Sequence, residues 1–141
     1  MLNLEGQVAI ITGGAQGIGE GICEVFCKAG ATVALWDVRD SGAETAEKIK
    51  ANGGKIFFQK VDITNREAVD AAVAEIIEGY GKIEILINNA GVLRDRSFLK
   101  MTQEEWDTVI NVNLSSLFTT TQSVLPHMRE AGYGRIISAS S

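Results

Sequence analysis

The sequence predicts an α/β chain built on a doubly wound parallel sheet, and three observations carry that prediction. Short apolar runs rich in β-branched residues alternate with longer stretches whose apolar residues recur at helical spacing. The alternation holds along the whole chain, which means parallel strands joined by helical crossovers, with helices on both faces when the crossovers are right-handed. Glycine punctuates the segment ends: 15 of 141 residues are glycine, above the average of about 7%.

Residues 8–11 are a continuous apolar run ahead of Thr12, Gly13 and Gly14, as in a strand buried on both faces. Ile18, Ile22, Val25, Phe26 and Ala29 then recur at helical spacing, and Gly30 is placed to cap the helix. Residues 32–36 give a second buried strand ending at Asp37. A second helix starts at Ser41, which has capping-box spacing with Glu44, and fades near Gly53 and Gly54. Residues 56–58 open a third strand. Thr64 and Glu67 repeat the capping-box spacing before a helix striped by Val69, Ala72, Val73, Ile76, Ile77 and Tyr80 and ended by Gly79 and Gly81.

Residues 83–87 supply the fourth strand, and a third capping box, Thr102 with Glu105, opens a short helix carrying Trp106 and Ile110. A longer helix presents Leu114, Leu117, Phe118, Thr121, Leu125 and Met128 on one side, and Pro126 is expected to kink it rather than end it. Residues 135–139 read as a fifth strand. A parallel strand wants cover on both faces, and no helix follows this one. The expectation is therefore one domain over residues 1–141, incomplete at its carboxyl end and truncated after the fifth strand.

The composition, 45% apolar and 22% charged, is that of a globular chain. A net charge of −5 repels a phosphate backbone and argues against nucleic acid as a partner. No apolar run approaches the roughly 18 residues of a membrane span, and no basic stretch leads into a signal-peptide core. The expected location is the cytoplasm, with no membrane partner. Cys23 and Cys27 read as small core-facing side chains, and with a single histidine, His127, no metal site is expected. His127 is assigned to the surface, and Trp36 and Trp106 to packing.

The chemistry begins at Thr12-Gly13-Gly14-Ala15-Gln16-Gly17-Ile18-Gly19, which fits T-G-x-x-x-G-x-G between a buried strand and a helix start. Glycines there permit a tight turn while the helix's unpaired amides face an anion, so Gly13, Gln16, Gly17, Ile18 and Gly19 are candidate binding residues. Asp37 lies 18 residues beyond Gly19, at the end of the second strand. A carboxylate there would accept hydrogen bonds from the adenosine ribose and repel a 2′-phosphate, favouring NAD over NADP. Arg39 opposes that preference, because a guanidinium can accommodate the phosphate.

Further motifs join these: Asp62 after the third strand, Asn88-Asn89-Ala90-Gly91 after the fourth, Asn113 in Val112-Asn113-Leu114-Ser115, and the stretch from Gly134 to Ser141. With them the chain resembles the classical short-chain dehydrogenase/reductase family over all 141 residues. The resemblance implies a Rossmann-type fold and an NAD(P)(H)-dependent oxidoreductase that interconverts a carbonyl and a secondary alcohol. By similarity, Asp62 and the Ile63 backbone hold the adenine, Asn89 and Gly91 line the nicotinamide-ribose side, and Asn88 braces neighbouring strands. Asn113 corresponds to the active-site asparagine and Ser141 to the catalytic serine, with Ser140 its immediate neighbour.

The family also uses a Tyr-x-x-x-Lys motif, because a phenol with a pKa of about 10 is a poor base at neutral pH until positive charge stabilises the phenolate. Here Tyr80 is followed four residues on by Glu84 and Tyr133 by Ile137. The expectation is an amino-terminal portion of a complete enzyme, inactive alone. The alternative is a naturally short dinucleotide-binding or regulatory module.

The stretch from Gly91 to Trp106 is similar to that of family members acting on 3-oxoacyl or 3-hydroxyacyl thioesters, the 3-oxoacyl-acyl-carrier-protein reductase branch of fatty acid biosynthesis. In that case Arg94 and Arg96, flanking Asp95, would face a phosphopantetheine or an acidic acyl carrier protein. A sugar, a steroid or a small ketone is the alternative substrate. The resemblance also implies a homo-oligomer paired through the helix over residues 114–128, and the bare fifth strand adds an adhesive edge.

Overall fold

The computed structural model describes residues 2–92 and 97–140; Arg94, Arg96 and Ser141 lie outside the described residues. The elements are β1 (Val8–Thr12), α1 (Gly17–Lys28), β2 (Thr32–Asp37), α2 (Ser41–Ala51), β3 (Lys55–Lys60), α3 (Arg66–Tyr80), β4 (Ile85–Asn88), α4 (Gln103–Ile110), α5 (Ser116–Ala131) and β5 (Arg135–Ser138). The five strands form one sheet in the order β3-β2-β1-β4-β5, and every pairing is parallel. The chain winds outward from β1 to β3, then returns to β1's other side with β4. That reversal opens a crevice at the carboxyl ends of β1 and β4.

Alternate residues of the inner strands feed two cores. Ile10, Ala34, Trp36 and Leu86 pack with Val69, Val73, Ile76, Val124 and Met128 on one face. Ile11, Val33, Leu35, Ile85 and Ile87 pack with Cys23, Ala46 and Ile49 on the other. This is the doubly wound arrangement that the alternating pattern predicts. No helix among the described residues is long and apolar enough to cross a membrane.

Two helix faces depart from expectation. In α1, Ile18 is 78% and Val25 54% exposed, while Gly19 and Cys23 are buried. A side chain at Gly19 would place its Cβ 2.0 Å from the Gly13 carbonyl oxygen, so the helix approaches the sheet along its smallest residues. In α5 the buried line is Ser116, Thr120, Val124 and Met128; of the expected stripe Met128 is thus buried, whereas Leu114, Phe118 and Leu125 face outward. Pro126 lies inside an unbroken α5. The departure from α geometry falls instead on a π-helical turn at Asn111–Ser115.

Of the three capping boxes, only Thr102 with Glu105 forms. Ser41 is already helical and follows Asp40, whose backbone is helical too and whose side chain makes no cap. The Thr64 hydroxyl donates to Asp62 instead, and Asn65 caps α3 by accepting the Ala68 N–H at 3.2 Å. Gly79 is inside α3, which ends at Gly81 with φ +79°.

Candidate dinucleotide site

The loop joining β1 to α1 is built around close backbone approach. Gly13 has φ +68°, and a Cβ there would stand 2.9 Å from Ala90 Cα. The Gly14 N–H donates to the Trp36 carbonyl at 3.2 Å, tying the loop to the end of β2. Gln16 is extended and Gly17 begins α1 with φ +59°. The first-turn N–H groups at Gly17, Ile18 and Gly19 have no acceptor within the helix, which makes this terminus a donor cluster for an anion.

β4 holds the other side of the loop. Thr12 Oγ1 accepts the N–H of Asn89 at 3.0 Å and of Ala90 at 2.9 Å, while Asn89 Nδ2 donates to the Gly13 carbonyl at 3.3 Å. Asn88 turns the opposite way: its Oδ1 accepts from Thr120 at 2.8 Å and its Nδ2 donates to Ser138 Oγ at 3.4 Å, so it braces α5 and β5.

Asp37 closes β2 and is 8% exposed. Its Oδ2 accepts the Ala15 N–H and its Oδ1 the Arg39 N–H, each at 3.0 Å. The Ala15 carbonyl accepts from Thr45 Oγ1 at 2.7 Å. After β3, Asp62 Oδ1 accepts from the Thr64 N–H at 2.9 Å and the Thr64 hydroxyl at 2.6 Å, a local turn that presents Ile63. Beneath the loop, burial pushes the Cys23 thiol up to about 12, with the charges around Cys27, Glu20 and Glu24 adding to it. Burial also raises Cys27. Burial of Cys23 is in keeping with a packing role, and Cys27 is half-buried.

One cleft of about 390 Å³ gathers these parts. Gly13, Gln16, Gly17, Ile18, Asp37, Asp62, Ile63, Asn89 and Gly91 all line it. Gly19 does not, being packed under the loop against Gly13 and Asn89. Asn113 also stands back: its Oδ1 accepts the Val92 N–H at 2.7 Å and its Nδ2 donates to the Val92 carbonyl at 2.9 Å. It therefore holds the strand exit that carries Gly91 and Val92. Ser141 lies outside the described residues. The sequence does not mark Val38, Val61, Thr64, Ala90, Val92 and Val112 as lining residues, and Trp36, expected only to pack, lines the cleft as well; the Thr12 and Thr45 hydroxyls were not expected either. The position of Thr12 beside Gly13 was a signal for the first; Thr45 carried none.

The donor set fits a dinucleotide. Gly13, Gly17 and Ile18 bring the donor terminus of α1 into the lining, and the Asp37 carboxylate stands at the β2 end. Among the described residues no His, Cys, Asp and Glu group could hold a metal ion.

A parallel sheet carrying this loop and carboxylate at its switch point is the architecture of doubly wound nucleotide-binding proteins. The chain belongs to the short chain dehydrogenase family, whose profile matches residues 7–141. It is 38% identical to a 3-oxoacyl-[acyl-carrier-protein] reductase FabG of Chlamydia pneumoniae over 99% of this chain and 57% of that protein. It is 41% identical to the oxidoreductase UcpA of Salmonella typhimurium, over 100% of this chain and 54% of that one. Among solved structures, gox2181 superposes with a TM-score of 0.95 at 31% identity, over 99% of this chain and 55% of its own. The chain thus spans a little over half the length of the relatives it matches.

Proposed function

We propose that this chain binds a nicotinamide dinucleotide, NAD(H) in preference to NADP(H), as the cofactor-holding part of an oxidoreductase acting on a 3-oxoacyl or 3-hydroxyacyl thioester. The observation that carries the proposal is the placing of Asp37 in the same cleft as the Gly13–Gly17 turn. In this assignment the amides of Gly17 and Ile18 take the pyrophosphate, and Asp37 accepts from the adenosine ribose with the lone pairs its backbone partners leave. Its charge, like in sign to a 2′-phosphate, disfavours NADP(H). Asp62 and Ile63 flank the adenine, and Asn89 and Gly91 the nicotinamide ribose. Bound there, the nicotinamide supplies or accepts the hydride.

Asn113 positions Val92 at the reacting end, and Ser141 is assigned to the substrate oxygen. No Tyr-x-x-x-Lys occurs in the 141 residues, so no group of this chain is assigned the proton transfer. The thioester class and an acyl carrier protein partner rest on the likeness to the reductase of Chlamydia pneumoniae. Self-association is supported by Leu114, Phe118 and Leu125, which face outward on α5 and its approach.

Chemical-shift mapping with NAD⁺ tests the assignment. The amides of Gly13, Gly17, Asp37, Ile63 and Gly91 are expected to shift, with Thr32 and Lys55 at the far ends of their strands unmoved. Shifts confined to other surfaces, or none at millimolar NAD⁺, would overturn it. The chain alone is expected to show no turnover of a 3-oxoacyl thioester with NADH.

A further inference from the structure

We infer that Thr45 is a positioning residue of the nucleotide site, acting through the backbone of Ala15; the inference rests on the dinucleotide assignment above. Ala15 is buried in the loop, 4% exposed, and it does not line the cleft. Its two backbone groups are gripped from one structural unit. Asp37, at the end of β2, takes its N–H at 3.0 Å, and Thr45, in α2, gives a proton to its carbonyl at 2.7 Å.

The carbonyl matters because of what shares its plane. The Ala15 C=O and the Gln16 N–H belong to one rigid peptide unit. Fixing the oxygen fixes the rotation of that unit, and with it the entry into Gln16, whose extended backbone (φ −157°, ψ 171°) turns the chain into α1. Gln16, Gly17 and Ile18 do line the cleft. Thr45 therefore sets where the amide cluster begins without touching a ligand.

A threonine inside a helix has a local alternative, which is to bond the carbonyl four residues back. That contact exists, to Ser41 at 3.2 Å. The hydroxyl has one proton, and the shorter contact to Ala15 takes it. Thr45 is itself 8% exposed, so water is a poor substitute for the hydroxyl at Ala15. A residue needed only to fill space between α2 and the loop would not require the oxygen at all.

The test compares Thr45→Val, which keeps the shape and loses the donor, with Thr45→Ser, which keeps the donor. Affinities for NAD⁺ and for ADP-ribose are measured by calorimetry on the full chain, at a temperature where melting curves show each protein folded. Thr45→Val is expected to weaken both ligands by the same factor, roughly tenfold, the scale of one hydrogen bond. Thr45→Ser should stay within about twofold of the unmodified chain, since its donor remains. Should Thr45→Val not fold, Thr45→Ala, which also lacks a donor, is read in its place.

Unchanged affinity in the folded Val or Ala protein overturns the inference even if its melting point falls. So does a Ser protein as impaired as the Val one. An unmodified chain that binds neither ligand overturns the dinucleotide assignment itself, and the role of Thr45 with it.

Discussion

Asp37 Oδ2 accepts the backbone N–H of Ala15 at 3.0 Å, so the acidic residue at the end of β2 is also a structural tie to the glycine loop. The other oxygen holds the Arg39 N–H. In Asp37→Asn one of these amides must face an NH₂ group, donor against donor. We expect a loss of about 1–3 kcal/mol of stability from the unsatisfied buried donor, measured by urea unfolding. NAD⁺ affinity should fall in the same variant.

Asn113 exchanges two hydrogen bonds with Val92. Asn113→Asp replaces the donor facing the Val92 carbonyl with an acceptor. The acceptor for the Val92 N–H is kept, whereas Asn113→Ala removes both partners. We expect the melting midpoint at neutral pH to fall in both variants, on the scale of about 0.5–1.5 kcal/mol per lost hydrogen bond. Midpoints equal to that of the unmodified chain in both would contradict the clamp.

Two glycines of α1 should respond oppositely to alanine. At Gly19 a Cβ would meet the Gly13 carbonyl oxygen at 2.0 Å and Asn89 Nδ2 at 2.7 Å. Backbone must move, and a loss of about 1–3 kcal/mol or more is expected. At Gly21 nothing lies within 4 Å, so alanine should stabilise by up to about 1 kcal/mol through helix propensity. Thermal melting of both variants checks the pair.

Cys23 titrates as a thiol whose folded-state pKa, about 12, is above its ordinary 9.0. Its contribution is full below pH 9 and declines as pH rises from there toward 12. Alkaline destabilisation should therefore be shallower in Cys23→Ala than in the unmodified chain. At pH 8 a thiol reagent should modify Cys23 only as fast as the chain opens, and half-buried Cys27 sooner.

The central strands were legible because a parallel strand covered on both faces is apolar at every position, as all five residues of β1 are buried. The faces of α1 and α5 were not. Gly19, Ser116 and Thr120 are among their buried positions, and a pattern of large apolar residues passes over small ones. Capping-box spacing says which side chains can reach an amide and is silent on the backbone, so a helical Asp40 defeats the box at Ser41. The glycine loop and Asp37 could be read because their chemistry sits at fixed positions after a strand. Thr45 could not: its partner is 30 residues away, and nothing local distinguishes it from a solvated helix threonine.

The most direct measurement is a titration of the chain and of Asp37→Ala with NAD⁺ and NADP⁺ side by side. The account predicts that the unmodified chain binds NAD⁺ more tightly, and that Asp37→Ala narrows or reverses the difference by relieving the repulsion on the 2′-phosphate. Tighter binding of NADP⁺ by the unmodified chain, with its margin unchanged in Asp37→Ala, would contradict it and pass control of the choice to Arg39 or the loop.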